Sequence, residues 1–181
     1  HSTEETRQLH IKELKPEMAS YDCGSMNWLN FGLFLNSPPF LEMCGQVFKE
    51  TNTKPEIECF DPGMIGNAAY YVKKGVLQLP LHFQFCMGCA NGISGSTKDL
   101  LFMKETADQL IGKGNYTWST FGVGHSAMEI MYAAIALGGN IRVGMEDNVM
   151  YSKGVLAKNN RQFVERAKRV IEEFGCEVAT P

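Results

Sequence analysis

Extended and helical segments alternate five times along this chain with short connections, and that order restricts the fold more than any single motif does. Strands are expected from Met18 to Cys23, Glu56 to Phe60, Leu79 to Cys86, Tyr116 to Val123 and Asn140 to Glu146. Helices are expected from Phe40 to Lys49, Met64 to Lys74, the Ser96-Thr-Lys-Asp99 cap to Leu110, His125 to Leu137, and Asn159 to Phe174. A further helix is expected at the start, with Ser2 as N-cap, acidic residues through Glu5, apolar contacts from Leu9, Ile11 and Leu14, and Pro16 as its stop. Strands separated by helices pair in parallel, and the helices cover the sheet.

The open question is whether such a sheet closes. The strands of an open, doubly wound sheet are buried on both faces and read as continuous apolar runs. These strands do not. Glu56 with Glu58, His82 with Gln84, and Arg142 with Glu146 stand two or four residues apart, which puts each pair on one face. A polar inner face suits a barrel that carries its functional residues at the C-terminal strand ends. A complete barrel of eight units takes ~250 residues. The 181 residues therefore read as a single domain, 1–181, of the α/β class: the C-terminal five β/α units of a (β/α)8 TIM-type barrel, with the front three units outside it.

Hydrophobic residues make up 44% of the chain and charged residues 20%, enough for a packed core. The 17 basic and 20 acidic residues give a net charge of −3 with no basic run, which disfavours nucleic acid as a partner. Six cysteines in 181 residues are too few for a disulfide scaffold and sit mostly in apolar segments, so a reducing, cytoplasmic setting is expected. In that setting the sequon at Asn115 reads as chance. No stretch approaches the ~20 apolar residues of a membrane span, so no membrane association is expected.

Asn140-Ile-Arg-Val-Gly-Met-Glu-Asp-Asn148 is the most informative stretch. As a strand it turns Ile141, Val143 and Met145 toward the helices and Arg142, Gly144 and Glu146 inward, with Asp147 just past the end. Gly144 would let a ligand approach. An inward arginine with two carboxylates at the mouth can hold a substrate carboxylate or tune a base, and a glutamate there can ligate a metal; the alternative is an arginine–carboxylate bridge that fills the barrel. Glu58, inward with Glu56, can meet a cationic or hydroxyl group, or bridge to Arg142. Ser25 and Asn27 place a hydroxyl and an amide in a turn after the first strand, where they can contact substrate or serve as ordinary turn residues. Cys86-Met-Gly-Cys89 near His82 lacks the context of a zinc or redox site and reads as loop packing, with His82 lining the interior. Gly122-Val-Gly124 offers backbone N–H groups at a helix start but lacks the third glycine of a dinucleotide fingerprint. The helix from His125 to Leu137, apolar nearly all round, is expected to be buried on two sides, by neighbouring helices or at a subunit interface.

Lys15-Pro-Glu-Met-Ala-Ser-Tyr-Asp-Cys-Gly-Ser-Met-Asn27, Phe34-Leu-Asn-Ser-Pro38, Pro55-Glu-Ile-Glu-Cys-Phe-Asp61 and Gly138-Gly-Asn-Ile-Arg-Val-Gly-Met-Glu-Asp-Asn148 together resemble the β-keto acid cleavage enzymes, in order along the whole chain. The resemblance implies a zinc-dependent barrel in which a β-keto acid and acetyl-CoA give acetoacetate and a new acyl-CoA, with a substrate of the 3-keto-5-aminohexanoate kind from lysine degradation. By position Glu146 matches a zinc ligand, Arg142 and Asp147 match the catalytic dyad that deprotonates the substrate, and Glu58 matches the acidic position of the fifth barrel strand. It also implies a homo-oligomer, with a tetramer suspected. Five residues of extended strand span ~16 Å, so the dyad forms only if the chain turns back beyond Glu146 and the arginine reaches up. The family's other two zinc ligands form a His-x-His pair, and no His-x-His occurs here. As it stands the chain is expected to be inactive by itself. The competing expectation is an inactive remnant that serves as an oligomerising or ligand-binding module; a metal aldolase is a weaker third.

Overall fold

The computed structural model describes residues 3–4, 6–29 and 31–180. A short 3-10 turn, Thr6–Gln8, leads into α1 (Leu9–Leu14) and β1 (Met18–Asp22). A hairpin of β2 (Met26–Trp28) and β3 (Gly32–Phe34) follows, then α2 (Pro38–Thr51), β4 (Lys54–Cys59) and α3 (Pro62–Lys73). Next come β5 (Leu81–Met87), α4 (Thr97–Leu110), β6 (Tyr116–Gly122), α5 (Ala127–Ala136) and β7 (Asn140–Ile141). A small hairpin, β8 (Met150–Ser152) with β9 (Val155–Leu156), precedes α6 (Asn160–Glu173).

One sheet carries β1, β4, β5, β6 and β7 in chain order, every neighbouring pair parallel. Doubly wound sheets reverse their strand order at a switch point, whereas a barrel adds each strand beside the last. The register makes the two faces explicit. Asp22, Glu58, Gln84, Ser119 and Asn140 stand side by side in one row, and Ser20, Glu56, His82 and Thr117 in the row below. The alternate rows hold Tyr21, Ile57, Phe83 and Trp118, then Cys59, Phe85 and Thr120. Ile57, Cys59, Phe83 and Phe85 are fully buried, and the Phe83 and Phe85 rings stack with centroids 5.7 Å apart. This helix-facing layer is the core, and each large side chain in it contributes about 1.5–3 kcal/mol through burial.

Four helices start on the residue their sequence signals. Ser37, Asp61, Ser96 and Asn159 accept backbone N–H bonds from Phe40, Met64, Asp99 and Gln162, and proline opens α2 and α3. The α5 helix is indeed buried on two sides: Ile130 and Ala134 belong to the main core, while Met131 packs with Ala167 and Val170 of α6. The sheet on one side and α6 on the other thus cover its apolar surface.

Two expectations are corrected. The opening helix spans only Leu9–Leu14, and Leu9 and Leu14 face solvent while Ile11 is buried; the expected cap residues Ser2 and Glu5 lie outside the described residues. The last strand ends at Ile141 instead of Glu146. The antiparallel pairs β2–β3 and β8–β9 are not signalled by the helix-strand alternation.

Candidate active site at the strand ends

The site forms where β7 stops. The Arg142 N–H still pairs with the Thr120 carbonyl at 2.9 Å, and the chain then bends, closing with the Asn148 N–H on the Gly144 carbonyl at 3.1 Å. Two contacts from elsewhere fix this bend: the Met145 N–H donates to Asn160 Oδ1 at 2.7 Å, and the Gly124 N–H donates to the Asp147 carbonyl at 2.9 Å. Gly144 therefore lies in the bend beside Asn160 instead of on an inward strand face; a β carbon at this position would stand 3.4 Å from that amide oxygen. The N–H of Gly124 is likewise occupied in holding Asp147, so the Gly-x-Gly stretch serves as an anchor.

The bend brings Arg142 and Asp147 together. Arg142 Nε donates to Asp147 Oδ2 at 3.0 Å and Nη2 to Oδ1 at 2.7 Å, a bidentate pair. The guanidinium lies 4.2 Å from the Phe121 ring centroid. Arg142 also pairs with Glu146. The two carboxylates differ in setting: the Asp147 side chain is 7% exposed and that of Glu146 80%. Burial pushes the Asp147 carboxyl up to about 6, helped by its contact with Glu146 and opposed by Arg142. Glu146 is held below the usual carboxylate range by hydrogen bonding to Asp147 and by the Arg142 charge. Among the described residues the ion pairs of Arg142 are with Glu146 and Asp147, and neither Glu56 nor Glu58 bridges to it.

A second acidic group lines the inner face. Glu58 stands beside Asp22 in the register, and Cys86 Sγ lies 3.8 Å from Glu58 Oε2. Burial and the neighbouring Glu58 push the Asp22 carboxyl up to about 7, with Arg7 acting against them. Glu56 is raised for the same reasons, burial first and Glu58 second. Asp22 escapes the sequence reading because it is the lone acid of an otherwise neutral strand; its period-two spacing from Ser20 is the signal that was there to be used.

Ser25 and Asn27 lie past the end of β1, both exposed. Ser25 Oγ accepts from the Asn36 N–H at 2.8 Å, and the Asn27 carbonyl accepts from Asn91 Nδ2 at 2.6 Å. His82 lies near the opposite, N-terminal end of its strand, its ring nitrogens 2.8 Å from Thr117 Oγ1 and 3.1 Å from Ser119 Oγ. Burial pushes the Cys86 thiol well up and Cys89 to about 11, so neither is poised as a thiolate. Among the described residues no three His, Cys, Asp or Glu side chains gather to hold a metal. The side chains gathered here therefore do not make a metal site by themselves.

The sequence matches the beta-keto acid cleavage enzyme family over residues 1–181. The chain belongs to that family. It is 44% identical over 174 residues to the 3-keto-5-aminohexanoate cleavage enzyme of Fusobacterium nucleatum, covering 96% of this chain and 61% of the relative. It is 42% identical to the enzyme of the same name from Acetoanaerobium sticklandii, covering 93% and 60%, and 35% identical to the 3-dehydrocarnitine:acetyl-CoA trimethylamine transferase of Rhizobium meliloti, covering 97% and 57%. The chain thus spans about 60% of the length of these relatives. Among solved structures, apo ObcA superposes with a TM-score of 0.76 at 20% identity, covering 97% of this chain and 45% of that one, and its complex with oxaloacetate gives 0.77 at 19%, covering 97% and 46%. That likeness shows the fold: five consecutive β/α units of a TIM-type barrel.

Proposed function

We propose that the whole protein cleaves a β-keto acid with acetyl-CoA, giving acetoacetate and the acyl-CoA of the remaining carbons. The observation that carries this is the Arg142–Asp147 pair at the strand ends of a chain of this family. A carboxylate titrating near neutrality is suited to removing a proton from the carbon between the two carbonyls of a β-keto acid. Asp147 does this, and Arg142 holds its carboxylate in one orientation and offsets the charge that develops beside it. The resulting carbanion attacks the acetyl carbonyl and expels CoA as its thiolate; the thiolate then adds to the original keto carbon, the bond between that carbon and the former methylene breaks to leave the new acyl-CoA, and the released acetoacetate carbanion takes back the proton held by Asp147.

Asp22, Glu56 and Glu58 make the inner face acidic, which suits a substrate carrying a cationic group. Two relatives named for 3-keto-5-aminohexanoate, at 44% and 42% identity, support an amino β-keto acid. Ser25 and Asn27 are proposed to contact the substrate at the mouth. Zinc would take Glu146 as one ligand, with the others supplied from outside these 181 residues, and would polarise a substrate carbonyl. A cytoplasmic homo-oligomer, a tetramer above all, completes the proposal; free cysteines suit the compartment, and light scattering on the full-length protein tests the assembly. Incubating that protein with acetyl-CoA and 3-keto-5-aminohexanoate tests the reaction. Acetoacetate formed in step with a new thioester supports it, and consumption of either substrate without acetoacetate refutes it.

A further inference from the structure

Asn36 follows the β2–β3 hairpin and is 2% exposed. Its Nδ2 donates to the Gly24 carbonyl at 2.9 Å, its backbone N–H donates to Ser25 Oγ at 2.8 Å, and its Oδ1 accepts from Arg7 Nη2 at 2.7 Å. Arg7 is itself fixed. Its Nη1 donates to the Leu35 carbonyl at 3.0 Å, its guanidinium lies 4.3 Å from the Phe40 ring centroid and 5.1 Å from that of Phe34, and Nη2 is 3.7 Å from Asp22 Oδ2. One arginine thus ties the segment before α1, the end of β1 and the turn after the hairpin to one another.

The consequence falls on Ser25. A serine hydroxyl has one proton to donate and two lone pairs to accept with. The Asn36 N–H occupies one lone pair, so the hydroxyl proton turns away from Asn36. Among the described residues Ser25 Oγ has no acceptor of its own, and Ser25 is exposed at the strand ends. Held in this way, Ser25 is a donor toward the mouth, and it suits an anionic oxygen better than an ammonium group.

We propose that Arg7, acting through Asn36, is a positioning residue that presents the Ser25 hydroxyl as a hydrogen-bond donor to the carboxylate of the β-keto acid. This rests on the function proposed above. Lysine cannot replace Arg7, because only the planar guanidinium reaches the Leu35 carbonyl and Asn36 Oδ1 at once while stacking on Phe40.

The test is a double-mutant cycle in the full-length protein, read as steady-state kinetics with 3-keto-5-aminohexanoate and acetyl-CoA. Ser25→Ala and Arg7→Met are each expected to raise KM for the β-keto acid about tenfold, with kcat changed less than about twofold. KM for acetyl-CoA should stay unchanged, and Ser25→Thr, which keeps the hydroxyl, should stay within about threefold of the parent. In the Ser25→Ala background Arg7→Met should add less than about twofold, because its route to the substrate is already cut. Should Arg7→Met fail to fold, Arg7→Lys carries the same cycle, with an expected rise in KM of about fivefold that vanishes in the Ser25→Ala background. Additive effects, or an unchanged KM in a folded Arg7 variant, overturn the positioning role and leave the proposed function standing. A full-length parent that makes no acetoacetate overturns both.

Discussion

The two faces of the sheet are built from the same strands and differ in everything else. On the face toward the helices, Ile57, Cys59, Phe83 and Phe85 are fully buried among apolar neighbours. On the inner face, one residue away along each strand, stand Asp22, Glu58, Gln84 and Ser119. There Gln84 Nε2 is buried without a partner among the described residues and Asp22 is pushed up to about 7 by burial and by Glu58. Burial of this kind costs stability instead of supplying it. One face holds the fold, and the other carries a polar row for which packing offers no reason.

Substitutions on the two faces should therefore separate stability from chemistry. Phe85→Ala on the helix face should lower the unfolding free energy by about 3–5 kcal/mol, measured by denaturant titration of the full-length protein. Asp147→Asn should lower kcat by about 10²–10⁴ while stability and zinc content hold; a stability loss as large as that of Phe85→Ala would place Asp147 in the structure and not in the chemistry.

The inner carboxylates should also show in the pH dependence of stability. The Asp22 pKa is raised above the ordinary 3.8, so the folded state holds its proton more tightly than the unfolded chain does. Its contribution is complete below about pH 4 and is lost as pH rises through about 7. Asp22→Asn should flatten that decline in denaturant midpoints measured from pH 4 to 8, and a decline that keeps its slope would show that Asp22 does not carry it. Smaller still, Glu146→Gln should reduce zinc content measured by metal analysis, and full occupancy in that variant would remove Glu146 from the ligand set.

The strands and their two faces were legible because alternation every second residue survives in the sequence: Glu56 with Glu58 and His82 with Gln84 mark the inner side. The same rule failed at Arg142 to Glu146. Ile141, Arg142 and Val143 continue the alternation of a strand, but the chain is bent by Asn160 from α6 and by the Gly124 N–H. Partners that distant in sequence leave no local trace. That bend brings Arg142 and Asp147 together, a pairing the extended strand would have forbidden. It also leaves Glu146 facing solvent at the rim. The β2–β3 hairpin was hidden for a related reason: Leu29, Phe31 and Leu33 are apolar yet exposed, so their pattern records no buried face. Asp22 was overlooked as a single acid in its strand, and only the register with Glu58 gives it meaning.

The most direct test of carbon transfer between a β-keto acid and acetyl-CoA follows the acetyl group. The full-length protein would be given acetyl-CoA carrying ¹³C in both acetyl carbons together with unlabelled 3-keto-5-aminohexanoate, and the products read by NMR and mass spectrometry. The proposed reaction puts the label in the methyl and keto carbons of acetoacetate and leaves the new thioester unlabelled. Label released as free acetate, or carried into the new thioester, would contradict it.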